Sequence, residues 1–252
     1  MPVFHRRRDV RRALSRGYPR GVGAVRLCRT LRQVERLLGR SLVDAVVLDV
    51  KASPEASFGI AARFPRIPVY ALSAFRPQDG ALLAQCHAAG FAGVLVEGVD
   101  TAIASEWVAG RTAQAARRQA LADAPRLLRL TDRLQLRTWE EILRRVGRPI
   151  STVELARTMA VTREHLSREF AAGGAPNLKR TIDLGRAACA ADLLGNPGYT
   201  VAAVAGILGY ASVSHFAAAT RRVAGASPRQ LRDLGPRGVL QRFLRGRTRS
   251  RP

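Results

Sequence analysis

Along the first hundred residues, short uninterrupted apolar runs alternate with stretches of helical period. The runs are GAVRLC (23–28), DAVVLD (44–49), IPVYAL (67–72) and AGVLVE (92–97). Continuous apolar strands of this length are buried on both faces, as in a parallel sheet. Between them, segments at about 9–16, 30–39, 55–63 and 78–89 carry a helical pattern and predict helices. Strands alternating with helices imply right-handed βαβ units. Residues 1–105 are therefore expected to form a small doubly wound α/β domain.

From Ala102 onward the strand signal disappears. Helices are predicted over 102–122 and 126–146, with Pro125 as the break between them because proline has no amide proton. Residues 106–131 are expected to be a helical linker, and 132–234 an all-helical domain. The apolar residues here (Trp107, Leu121, Leu127, Leu128, Leu130, Leu134, Leu136) keep no heptad over three repeats. They are expected as core rather than as a coiled-coil seam. The end of the chain, GPRGVLQRFLRGRTRSRP (235–252), holds six arginines and no acid. It predicts a flexible basic tail that touches phosphates without specificity.

The helical half contains an internal repeat at a spacing of about 49 residues. TVELARTMAV (152–161) matches TVAAVAGILGY (200–210). Leu155, Ala156 and Met159 share one helical face in the first copy; Val204, Ala205 and Leu208 share it in the second. A small residue beside an aliphatic one lets another helix cross closely. A tight turn follows, Ala160-Val161-Thr162 or Gly209-Tyr210-Ala211, and glycine there takes positive φ without penalty. REHLSREF (163–170) and SVSHFAAAT (212–220) come next, with Leu166 and Phe216 in corresponding places. Two helices joined by such a turn are a helix-turn-helix, in which the second helix offers its outer face to a major groove. Ser151 and Glu154 form a capping box, and Thr162 and Ser212 can cap the second helices. Residues 177–194 read as one connecting helix, roughly 27 Å long at 1.5 Å per residue. Successive major grooves on one face of a duplex lie about 34 Å apart, so a rigid helix of this length can set two recognition helices into neighbouring grooves. Phe170, Ile182, Leu193 and Leu194 are expected to keep it rigid.

Charge points the same way. The formal net charge is +23, and all but Lys51 and Lys179 of the 42 basic residues are arginine. Such a chain suits a polyanionic partner, nucleic acid or an acidic membrane surface. No run of 18 apolar residues is present, so no membrane span is expected, and a cytoplasmic location is. The three cysteines (Cys28, Cys86, Cys189) are far apart and read as reduced, small apolar residues, with no metal site and no cofactor implied.

Residues 132–234 resemble the DNA-binding domain of AraC/XylS-type transcriptional regulators. The resemblance is carried by ELARTMAVTREHLSREF, the bridging LGRAACAADLL, and VAAVAGILGYASVSHFAAATRRVAGASPRQLR, which closes on G-x-S-P-x-x-L-R from Gly225 to Arg232. It implies a unit with two recognition helices that binds double-stranded DNA, controls transcription and often touches RNA polymerase. Carried over, it places Thr162, Arg163, Glu164, Ser167 and Arg168 at the first groove, with Arg168 suited to a bidentate guanine contact. At the second it places Ser212, Ser214 and His215, with Arg221 and Arg222 on the DNA backbone. The second helix departs from the family in Ala217, Ala218 and Ala219, and in Thr220 where an aromatic core residue is usual. It is expected to supply phosphate affinity more than base specificity.

Residues 1–105 resemble, more distantly, a response-regulator receiver domain of the flavodoxin-like class. DAVVLDV puts Asp49 where receivers carry the phosphorylated aspartate, and VYALSA puts Ser73 at the switch hydroxyl. Receivers also hold Mg²⁺ with an acidic pair after the first strand. VFHRRRDV offers Arg6 and Arg7 there instead, and VLVEGVD offers Glu97 where a lysine is usual. The expected domain is a degenerate, phosphorylation-independent pseudo-receiver, serving homodimerisation or signalling, in which the arginines neutralise Asp49 or bind an anion. The alternatives are a response regulator phosphorylated on Asp49 and a nucleoid-type coater that binds DNA without specificity. Catalysis is not expected. His165 with Ser167, and Ser214 with His215, set hydroxyls near imidazoles but have no orienting acid or oxyanion hole.

Overall fold

The computed structural model describes residues 1–21, 23–148 and 150–248. The chain divides into two compact units: Met1–Ala116 with Asn196–Gly198, and Arg117–Gly195 with the chain from Tyr199 onward.

The first unit alternates strands and helices. In chain order they are β1 (Pro2–Phe4), α1 (Arg8–Gly17), β2 (Arg26–Cys28), α2 (Leu31–Arg40), β3 (Val46–Leu48), α3 (Pro54–Arg63), β4 (Val69–Ser73), α4 (Gly80–Ala88), β5 (Gly93–Val96) and α5 (Ala104–Ala109). The five strands are parallel in the order β2-β1-β3-β4-β5. The order reverses direction at β1 and β3, so their C-terminal ends flank the crevice where doubly wound sheets place functional groups. β1, β3 and β4 are buried along their whole length, as their unbroken apolar runs require. Val3, Val10, Leu14, Val47, Tyr70, Leu72, Ala104 and Val108 belong to one core cluster. Gly93 is needed at the start of β5, because a Cβ there would lie 2.4 Å from the Trp107 ring.

The second unit is helical. The helix α6 (Ala113–Ala120) spans the division between the units, and α7 (Ala124–Leu127), α8 (Arg133–Arg145), α9 (Thr152–Met159), α10 (Arg163–Ala171), α11 (Leu178–Leu194), α12 (Val201–Ile207), α13 (Val213–Ala224) and α14 (Pro228–Thr248) follow.

Several expectations are corrected. The helix expected over 102–122 is two, because α5 ends at Gly110 and the Thr112 hydroxyl accepts the Ala115 amide to begin α6. The helix expected over 126–146 is likewise two. Pro125 does not separate helices but sits in the first turn of α7, where its missing amide proton costs nothing. The break falls later, at Arg129 with φ 59°, after which Asp132 and Gln135 cap α8. Of the apolar residues around 106–131, Val108 belongs to the first unit's core, Leu121, Leu128 and Leu130 are buried, and Leu127 and Leu136 are exposed. Finally, the tail from Gly235 is not a mobile arm over its described part. It continues α14 to Thr248 across a kink at Gly235, with Val239, Leu240 and Phe243 buried. Its last four residues, 249–252, lie outside the described residues.

Candidate nucleic-acid interface

The two halves of the repeat build the same object. In the first, the Ser151 hydroxyl accepts the Glu154 amide at 3.1 Å, and the Glu154 carboxylate accepts the Ser151 amide at 2.7 Å. The Ser151 amide first, and then the Ser151 hydroxyl donating to the same carboxylate at 2.8 Å, hold the Glu154 carboxyl below its ordinary pKa. Leu155, Ala156 and Met159 are buried, so α9 is the bracing helix. It ends on Ala160 in the left-handed region, and the Val161 amide donates back to the Ala156 carbonyl at 3.0 Å. Thr162 then caps α10 by accepting the His165 amide at 3.2 Å.

In the second half Thr200 caps α12, and Val204, Ala205 and Leu208 are buried. Gly209 takes the left-handed turn, and the Tyr210 amide donates to the Ala205 carbonyl at 2.9 Å. This is the same closure, from the matching residue to the matching residue, and it satisfies end carbonyls that a helix leaves orphaned. Ser212 caps α13 by accepting the His215 amide at 3.0 Å. The second turn is one residue longer, since Ala211 intervenes before the cap.

Each recognition helix therefore has one buried and one open face. Leu166 and Phe170 anchor α10; Phe216, Ala219, Thr220 and Val223 anchor α13. Arg163, Glu164, Ser167 and Arg168 are exposed on the first, and Ser214, His215, Ala218, Arg221 and Arg222 on the second. The structure thus brings the residues named from sequence to the outer faces of two capped helices. The open faces differ in character. On α10 the charges are paired along the helix: Arg163 with Glu164 at 3.0 Å, and Arg168 with Glu169 at 3.3 Å. Arg168 also donates to His165 Nδ1 at 3.3 Å, yet its side chain stays 75% exposed. Such surface pairs are worth little and yield readily to a stronger partner. The neighbouring Arg163, and before it a bond to its own amide, hold the Glu164 carboxyl low. On α13 the middle is smooth alanine. Thr220 is buried, its hydroxyl donating to the Ala217 carbonyl at 3.0 Å, so it stands at a core position as expected. Arg222 is tied to Asp183 of α11 at 2.8 Å, a pairing the sequence did not suggest.

The connecting helix α11 has 17 residues, hence a length of about 26 Å. Leu184, Ala187, Ala188, Cys189, Ala190, Ala191, Leu193 and Leu194 are all buried. Gly185 lets α8 come close, since a Cβ there would lie 2.9 Å from Ile142 Cγ2. Its polar residues are bound to their surroundings as well. Arg186 donates to the Leu208 carbonyl at 2.8 Å and lies over the Tyr210 ring at 3.9 Å, and Asp192 accepts from Arg117 at 2.8 Å. Tyr210 in turn meets His215 edge-on at 5.6 Å. Burial raises the pKa of the Tyr210 hydroxyl. The family ending Gly225 to Arg232 also has a physical account. Gly225 closes α13 at φ 59°, Ser227 and Gln230 cap α14, and Leu231 is buried.

The first unit holds a separate polar cluster at the C-terminal ends of its strands. Asp49, 4% exposed, follows β3 and accepts the Ser73 hydroxyl at 2.7 Å. Its other oxygen faces the Arg6 amide at 3.3 Å and the Arg6 Nε at 3.4 Å. Arg7 pairs with Glu97 at 2.8 Å. Between the two carboxylates lies His5, 1% exposed, 3.4 Å from Glu97 and 3.8 Å from Asp49. Its Nδ1 accepts the Arg7 amide at 3.1 Å. Sequence reasoning found Asp49, Ser73, Arg6, Arg7 and Glu97 but not His5, whose place directly after β1 was the available signal. Lys51 points elsewhere, to Asp79 at 2.7 Å, and this ion pair is the main reason the Asp79 carboxyl titrates low. Among the described residues no three His, Cys, Asp or Glu side chains are arranged to hold a metal ion. Nor is any helix long and apolar enough to cross a membrane.

Neither the curated proteins nor the solved structures include a match to this chain. Residues 155–233 match the family model described as a helix-turn-helix domain, and the match supports a DNA-binding domain of the AraC type over those residues.

Proposed function

We propose that this protein is a sequence-specific transcriptional regulator of the AraC/XylS type, controlled through a pseudo-receiver that needs no phosphorylation. The observation that carries the first part is the duplicated helix-turn-helix. Two capped recognition helices, α10 and α13, present open faces while both pack on one buried helix. A chain that only coats DNA needs positive charge but not two shaped helices at a set distance. Arg168 is the base reader, Arg163, Glu164 and Ser167 flank it, and Ser214 and His215 read the second groove. Thr162 and Ser212 set the helix ends that meet phosphate, and Arg221 binds the backbone. The protein acts in the cytoplasm, is not an enzyme, and contacts RNA polymerase when bound. Against catalysis stands the setting of His165, whose ring nitrogen is engaged by Arg168 rather than by Ser167.

The pseudo-receiver reading rests on inverted charge. Where a receiver has acids after β1, this chain has His5, Arg6 and Arg7; where it has a lysine after β5, this chain has Glu97. Asp49 is already engaged by Arg6 and Ser73. A Mg²⁺ ion would meet two guanidinium groups, and a phosphoryl group would meet a carboxylate.

Selection of bound duplexes from a random pool tests the reading. It should return a discrete site of about two helical turns, bound about 10³-fold or more tightly than random duplex at physiological salt. Equal affinity for selected and random DNA would mean a coater instead.

A further inference from the structure

The family match ends at residue 233, but the helical chain does not. We infer that Pro236–Thr248 is a strut that sets the distance between the two recognition helices, and so the half-site spacing the protein accepts. The inference rests on the DNA-binding reading, though its physical core does not.

The helix α14, whose second part is the strut, touches α11 near both of that helix's ends. At one end the Arg232 side chain donates to the Leu194 carbonyl at 3.2 Å, at the C-terminus of α11. At the other the Arg180 guanidinium, in the first turn of α11, lies over the Phe243 ring at 5.2 Å. Taken whole, α14 therefore runs antiparallel to the connecting helix. Gly235, at φ 60° and ψ 177°, makes the bend that redirects it, a backbone state closed to side-chain-bearing residues. Beyond the bend Val239, Leu240 and Phe243 are buried, while Arg237, Arg242 and Arg245 lie on the open side. The helix α14 packs on α11, whose small residues Ala187, Ala188, Ala190 and Ala191 are all buried.

The mechanical consequence follows from which elements hold α11. The first helix-turn-helix reaches it through α8 and α10, the second through α12 and α13. Asp183–Arg222 and Arg186–Leu208 tie the second helix-turn-helix to its first half. Without Pro236–Thr248 the first turn of α11 would lose its Arg180–Phe243 contact, and one side of the helix would face water. A lone helix flexes, whereas a pair packed along its length bends as one body. Two recognition helices on a stiff pair engage both grooves only at the matching spacing, and simultaneous binding is lost when geometry forbids it.

Spin labels on Ser167→Cys and Ser214→Cys test this without DNA, the native cysteines Cys28, Cys86 and Cys189 being buried. In the full chain the distance distribution should be narrow. In a chain ending at Gly235, and in Phe243→Ala, it should broaden about two-fold or more. Phe243→Leu should restore it. Replacing Arg237 and Arg242 by Gln removes charge but spares the apolar stripe, and should leave the width unchanged. On the selected duplex, two extra base pairs between half-sites should cost the wild type about ten-fold or more and Phe243→Ala only about two-fold. Equal widths for the wild type and Phe243→Ala would overturn the strut, as would a double-Gln variant that behaves like the truncation. A strut that behaves as described in a chain that selects no discrete duplex would leave it standing and remove the functional reading.

Discussion

Ala160 and Gly209 occupy the same point of the two repeats and share one backbone state, with φ 58° and 67°. The turn needs that state to send the Val161 and Tyr210 amides back to Ala156 and Ala205. An L-residue with a Cβ is strained there by about 1–2 kcal/mol; glycine is not. The two repeats thus solve one geometry with residues of unequal cost. Ala160→Gly should stabilise the second unit by up to about 1 kcal/mol, and Gly209→Ala should destabilise it by about 1–2 kcal/mol. Urea denaturation of the two variants checks both signs.

Arg168 stands on the open face of α10, held only by exposed partners. Arg168→Ala should cost about 1–3 kcal/mol of discrimination, concentrated at one base position of the selected site. Arg221→Ala should weaken all sequences alike and lower the salt slope of binding by about one. Binding measured over a base-substituted set of duplexes at several salt concentrations separates the two. If a deeper loss falls in the half-site facing Ser214 than in that facing Arg168, the assignment of specificity to α10 is wrong.

Asp49 is filled by ligands from its own unit. Incubation with acetyl phosphate and Mg²⁺ should leave the protein unlabelled, and Asp49→Asn should bind the selected duplex as the wild type does. Asp49→Ala removes the acceptor of the buried Ser73 hydroxyl and should cost about 1–3 kcal/mol on denaturation. Labelling of the wild type but not of Asp49→Asn would restore the phosphorylated alternative.

Glu141, buried on α8, is held below its ordinary pKa of 4.5 by the Arg144 guanidinium first, with Arg145 adding to it. A depressed carboxyl stabilises the fold when ionised, so its contribution is complete above the unfolded value and fades as pH falls through the lower folded value. The second unit should therefore lose stability on acidification below about 4.5. Glu141→Gln should be less stable near neutrality and show a shallower acid slope in melts across that range.

Much of the local structure was legible in the sequence because it is set by neighbours in the chain. The apolar runs marked β2 to β5, and the Ser151, Thr162 and Ser212 caps fell where hydroxyls precede helical pattern. The repeat located both turns, since the small and aliphatic pairs Leu155-Ala156 and Val204-Ala205 recur. The open faces of α10 and α13 followed from helical period alone.

What only the tertiary structure decided is everything that depends on a distant partner. Val239, Leu240 and Phe243 are too few to predict a buried helix in an arginine-rich tail; they become core because the reversal at Gly225–Pro228 lays them beside α11. Arg222 looked free for DNA until the fold set Asp183 next to it, and His5 was one of a run of polar residues until β1 set it between Asp49 and Glu97. Periodicity reports which side of an element is apolar, but burial and pairing depend on what the rest of the chain brings to that side.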